Sequence, residues 1–87
     1  MSTELVTAGK PQRLVEISVN GRPVSIEGPK ATGSEIKQAA IAQGVPIQID
    51  FLLYEELPGK NKPVPDEKEI PVHPNQQFVA IANDDNS

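Results

Sequence analysis

The stretch from Leu14 to Ile26 can fold in few ways other than as a β-hairpin. Val15, Ile17 and Val19 alternate with Glu16 and Ser18, the period of a strand with one face buried and the other wet. Asn20-Gly21 follows at once, and this pair tolerates the positive φ values of a type I′ turn, whose twist matches the strands it joins. Val24 and Ile26 then resume the alternation as the return strand.

Gly28-Pro29 stops that strand, and Thr32-Gly33-Ser34-Glu35 has the spacing of a capping box, in which threonine and glutamate each satisfy an otherwise unpaired amide at a helix start. In the helix that follows, Ile36, Ala39, Ala40 and Gln43 recur at helical spacing and are expected to face the sheet. Lys37, Gln38 and Ala42 are expected to face water, and Gly44 is placed for a left-handed cap before Pro46. Ile49, Phe51 and Leu53 alternate with Asp50, Leu52 and Tyr54, which predicts a third strand from about Gln48 to Tyr54. Pro58-Gly59 ends it, and Lys60 to Glu69 reads as a polar loop with room for one helical turn at Asp66 to Glu69. Ile70 to Val72 is a short edge strand, because Pro71 has no amide to donate in a central position. Gln77 to Ala82 is the last strand; either Val79 with Ile81 or Phe78 with Ala80 can form its core face, and the first pair is favoured.

A chain of 87 residues allows one small domain, and with two Phe, one Tyr and no Trp its core must be packed largely by aliphatic side chains. Residues 1–12 show no hydrophobic period and are set apart as a leader, 13–82 form the domain, and 83–87 are a polar tail expected to be flexible. Cysteine is absent, which removes disulfides, thiolate zinc sites and a thiol nucleophile together. With a net charge of −4 and no stripe of basic residues interleaved with aromatics, nucleic acid is not an expected partner. No run approaches a membrane span and the start lacks the pattern of a signal peptide, so the expected location is the cytoplasm, away from membranes.

Hairpin, helix, long strand, short edge strand and final strand make an α+β domain, a sheet with one helix packed on it in two layers. The runs Val19-Asn20-Gly21-Arg22-Pro23-Val24, Gly28-Pro29-Lys30-Ala31-Thr32-Gly33-Ser34-Glu35-Ile36 and Leu57-Pro58-Gly59 resemble the bacterial multiubiquitin family of ubiquitin-like domains over about Leu14 to Ala82. The resemblance implies a single β-grasp unit. It also implies a protein modifier without catalytic residues or cofactor of its own, handled by a ubiquitin-activating-like enzyme, a conjugating-like enzyme and a peptidase. Where ubiquitin closes with Gly-Gly, this chain reads Ala82-Asn83-Asp84-Asp85-Asn86-Ser87. Either the peptidase trims the tail first, or the family's enzymes accept a different terminus, or the chain is never conjugated; removal of residues after Asn83 or Asp84 is the favoured expectation, since Asp84 and Asp85 would burden an adenylating site that already holds a polyanionic nucleotide.

Few side chains invite chemistry. His73 stands alone in a turn with no nucleophile spaced to pair with it, and Glu55-Glu56 and Asp66-Glu67 read as solvated acidic turns, so neither a catalytic residue nor a metal site is expected. Leu52 and Tyr54 fall on the side of the third strand opposite the core, and Phe78 and Ala80 join them if Val79 and Ile81 point inward. An apolar patch on the open face of a one-helix sheet commonly marks a partner surface, so these four are the candidate partner-binding residues, for a pathway enzyme or for self-association. The alternative function is a β-grasp scaffold module that is never conjugated and docks through the same face.

Overall fold

A computed structural model describes residues 13–82; the expectations for the leader 1–12 and the tail 83–87 lie outside the described residues. The hairpin forms as the alternation requires. β1 (Arg13–Val19) pairs antiparallel with β2 (Arg22–Gly28) through Ile17↔Val24 and Val15↔Ile26, and Asn20 and Gly21 take φ values of 55° and 80° between them. A short β3 (Lys30–Thr32) leads into α1 (Gly33–Ala42). The capping box is present: the Glu35 amide donates to Thr32 Oγ1 at 3.1 Å, and the Thr32 amide donates to Glu35 Oε1 at 2.9 Å. Gly44 has the positive φ, 96°, that lets the chain turn away after the helix.

The remaining strands are β4 (Leu52–Leu57), β5 (Lys60–Pro63), β6 (Glu69–Pro71) and β7 (Gln77–Ile81). Five of them form one sheet in the order β2-β1-β7-β4-β5, with β7 parallel to β1 and antiparallel to β4; β3 and β6 form a separate two-stranded ribbon. The parallel pairing of the first and last long strands, with α1 on one face, is the β-grasp arrangement. Val15, Ile17, Val19, Val24, Ile26, Leu53, Phe78 and Ala80 cover the helix side of the sheet, and Ile36 and Ala40 meet them from α1. Ala39 and Ala40, both packed on the core side of α1, are small enough to let the layers approach closely.

Several expectations are corrected. The third strand begins later, because residues 45–51 wrap past the end of α1 without strand pairing. Val45, Ile47 and Leu53 are buried and Phe51 is half-buried, but Ile49, expected on the core face with Phe51 and Leu53, is 44% exposed, so the apolar alternation that made the segment look extended corresponds neither to a ladder nor to continuous alternate burial. Lys60 to Pro63 is a strand, since Pro58 and Gly59, the latter at φ 80°, close a second hairpin from Leu57 to Lys60. Asp66 and Glu67 form only a turn, with the Lys68 amide donating to the Pro65 carbonyl at 3.1 Å.

Lys37 does not face water. Its side chain is 2% exposed, and Nζ donates to the carbonyls of Ile49 and Phe51 at 2.6 Å each while pairing with Asp66 Oδ1 at 2.7 Å. An ammonium has three protons to place, and three oxygens receive them.

Gly33 explains the tight seat of the helix start. A Cβ there would come within 2.5 Å of the Pro65 carbonyl oxygen and 2.7 Å of that of Val64, both backbone atoms. Gly33→Ala should therefore destabilise by about 1 to 3 kcal/mol even though alanine is the better helix former. A melting temperature at or above that of the parent would show that the 64–65 segment yields freely.

Candidate interaction surface

The register of β4 against β7 decides which side chains reach the open face. Leu53 pairs with Ala80 and Glu55 with Phe78, and the parallel pairing sets Phe78 beside Val19. Val19 and Leu53 are both core residues, so Phe78 and Ala80 must point inward with them. They do: Phe78 is 1% exposed and Ala80 6%, which removes both from the candidate partner-binding set. The favoured pair Val79 and Ile81 is on the outside instead. β7 is apolar on both faces, so its own pattern could not choose, and the largest apolar side chain took the core.

Leu52 and Tyr54 stand where the alternation places them, on the outer face. Their cross-strand partners are Ile81 and Val79, and Tyr54 also pairs with Pro63 of β5. The result is a contiguous apolar ladder over three strands, with Leu52 43% and Ile81 46% exposed, and Tyr54 and Val79 half-buried. Val79 and Ile81 are the residues that sequence reasoning missed; the signal was there in the second apolar set of β7.

The patch lies where the chain leaves the sheet. β1 ends at Val19 and turns, so no further β1 residue can pair with Ala80. Asn20 takes that place with its side chain: Ala80 donates its amide to Asn20 Oδ1 at 2.8 Å, and Asn20 Nδ2 donates to the Ala80 carbonyl at 3.3 Å. One residue thus supplies both the positive φ of the hairpin turn and a backbone-like clamp on the last strand. Ile81 is held on the other side by Leu52, and Ala82, the first residue after β7, is exposed.

The polar candidates do structural work. Gln76, buried at 7% exposure, donates to Glu55 Oε2 at 2.9 Å and to the Pro71 carbonyl at 3.3 Å, and accepts the His73 amide at 3.0 Å. Glu55 is thereby tied to the turn that carries His73, whose side chain is exposed. Gln43 covers the outer edge of β2, where its amide accepts from the Ser25 N–H at 2.9 Å and donates to the Ser25 carbonyl at 2.7 Å. With Pro23 lacking an amide, that edge offers little for strand addition. Among the described residues no three of His, Asp and Glu gather as metal ligands, and no helix is long and apolar enough to cross a membrane.

A family model described as multiubiquitin matches residues 15–85, most of the chain and all of the sheet beyond the first positions of β1. No curated protein and no solved structure matches.

Proposed function

Because this chain belongs to the multiubiquitin family of ubiquitin-like domains, we propose that it serves as a protein modifier, activated and joined to targets through its C-terminus by partner enzymes. The observation that carries this reading is the meeting of an apolar face with the chain's exit, since Ile81 belongs both to the patch and to the last paired position of β7. A partner seated on Leu52, Tyr54, Val79 and Ile81 would lie against the last paired residue of β7.

In the proposed reaction an activating-like enzyme lets a C-terminal carboxylate oxygen attack the α-phosphorus of ATP, with pyrophosphate leaving. A cysteine thiolate of the partner, since this chain has none, then attacks the acyl carbon and expels AMP to form a thioester, and a conjugating-like enzyme passes the acyl group to a target amine, which forms the amide as the thiol leaves. The polar tail Asn83 to Ser87 is cut first by the partner peptidase, after Asn83 or Asp84. Each catalytic group belongs to a partner; this domain contributes the docking face, the rigid exit and the reacting carboxylate.

The test joins mass spectrometry to pyrophosphate exchange. Incubation with the peptidase should yield a product ending at Asn83 or Asp84, and that product should support exchange when the full-length form does not. An uncut chain that is nonetheless activated would remove the trimming step alone; neither form supporting exchange would remove the modifier reading. Leu52→Ser should change unfolding stability by less than about 1 kcal/mol, as an exposed position allows, while weakening association with the activating-like enzyme about tenfold or more. If the apolar face instead serves a scaffold that pairs with itself, sedimentation will show a concentration-dependent dimer that Leu52→Ser abolishes.

A further inference from the structure

The charges on the outer face are sorted by sign. Glu56 follows Tyr54 by two positions on β4 and so adjoins the apolar ladder; Glu16 stands on the outer side of β1, and Glu27 on that of β2. All three are exposed. Among the described side chains no lysine or arginine stands on this face of the five-stranded sheet. Arg22 pairs with the buried Val19, and Lys60 and Lys62 pair with Leu57 and Glu55, so all three occupy register positions of the core side, while Lys30 and Lys68 lie outside the sheet. An apolar corner thus passes into a flank whose described charges are all negative, with the exposed Leu14 set between Glu16 and Glu27.

A protein interface of ordinary size covers about 800 Å² on each partner, more than an apolar corner of this kind offers, so a bound protein would extend over Glu56 and Glu16 as well. Carboxylates facing an uncharged or acidic surface would be desolvated or repelled without return, whereas arginine and lysine opposite them would raise the rate of encounter and fix orientation. We infer that the partner of this face is a protein whose docking surface combines an apolar pocket with flanking basic side chains, set first against Glu56 on β4 and continuing across the sheet toward Glu16 on β1 and Glu27 on β2. The inference rests on the modifier reading only for the partner's identity, here the activating-like enzyme. The acidic flank disfavours nucleic acid and anionic membrane as occupants, because each would place negative charge against it.

The experiment measures binding of the labelled full chain to the purified activating-like enzyme by fluorescence anisotropy, at about 50 mM and about 300 mM salt, a range that shortens the screening length by a factor of about 2.5. The dissociation constant should rise about tenfold with salt, and at low salt Glu56→Lys should weaken binding about threefold or more, with Glu16→Lys weaker in effect and Glu27→Lys weaker still. Glu67→Lys, in the exposed turn before β6, should leave binding unchanged. Leu52→Ser should weaken it at both salt concentrations. Binding that needs Leu52 but ignores salt and all three face carboxylates would overturn the basic side chains while leaving the modifier reading intact. Binding that ignores Leu52 too, with pyrophosphate exchange proceeding, would overturn the face. Loss of both binding and exchange for the parent chain would overturn this inference together with the reading beneath it.

Discussion

Phe78→Ala is expected to remove about 3 to 5 kcal/mol of stability, the usual loss for truncating a fully buried aromatic side chain. A domain of this size has roughly 4 to 10 kcal/mol in total, so the variant should be near the edge of unfolding at room temperature. Phe78 is 1% exposed and the largest apolar side chain in the core. It sits on the strand that joins the halves of the sheet, beside Val19 on β1 and across from Glu55 on β4. Its loss opens a cavity where collapse would disturb both pairings. Ile81→Ala is the matched control, because Ile81 is 46% exposed on the same strand and facing the other way, and should cost less than about 1 kcal/mol. Urea titration of the two variants reads the register of β7 directly: equal midpoints, or a larger loss for Ile81→Ala, would reverse the faces of the strand.

Where the sequence carried two independent signals for one element, it could be read correctly. The hairpin had both alternation and Asn20-Gly21, and the helix start had both the capping box and the apolar period after it. Where one signal stood alone it misled. The alternation of Ile49, Phe51 and Leu53 predicts a strand from about Gln48, yet pairing begins only at Leu52 and Ile49 is exposed, because an apolar period reports neither pairing nor the path of a segment wrapped past a helix end. Helical spacing puts Lys37 on the wet face with Gln38 and Ala42, and only the path of the 49–51 backbone, which no local pattern encodes, reveals the oxygens that receive it. Half of the candidate site was legible for the same reason. Leu52 and Tyr54 alternate with a neighbour that is clearly core, whereas β7 offers two apolar faces, and the choice between them was made by pairing across the sheet.

Lys37 should matter nearly as much as Phe78, through a different kind of interaction. Its ammonium joins three parts of the chain: the helix that carries it, the segment before β4 through the Ile49 and Phe51 carbonyls, and the turn before β6 through Asp66. Asp66 is 56% exposed, so that ion pair is screened by water, and Asp66→Asn should cost less than about 1 kcal/mol. The carbonyl contacts are the larger part, since removing the donor leaves two backbone acceptors to find other partners, at about 1 to 3 kcal/mol for each that stays buried. Lys37→Ala also deletes a buried aliphatic stem, and its total should be about 2 to 5 kcal/mol. Lys37→Met separates the two contributions, because it keeps most of the stem and removes only the charge and its protons. The expected order of stability is parent, Asp66→Asn, Lys37→Met, Lys37→Ala, with amide exchange in Lys37→Met accelerated from residue 49 into β4 before the rest of the sheet. A Lys37→Met variant as stable as the parent would mean that the buried ammonium contributes only its hydrocarbon stem, and that residues 49–51 are held by packing alone.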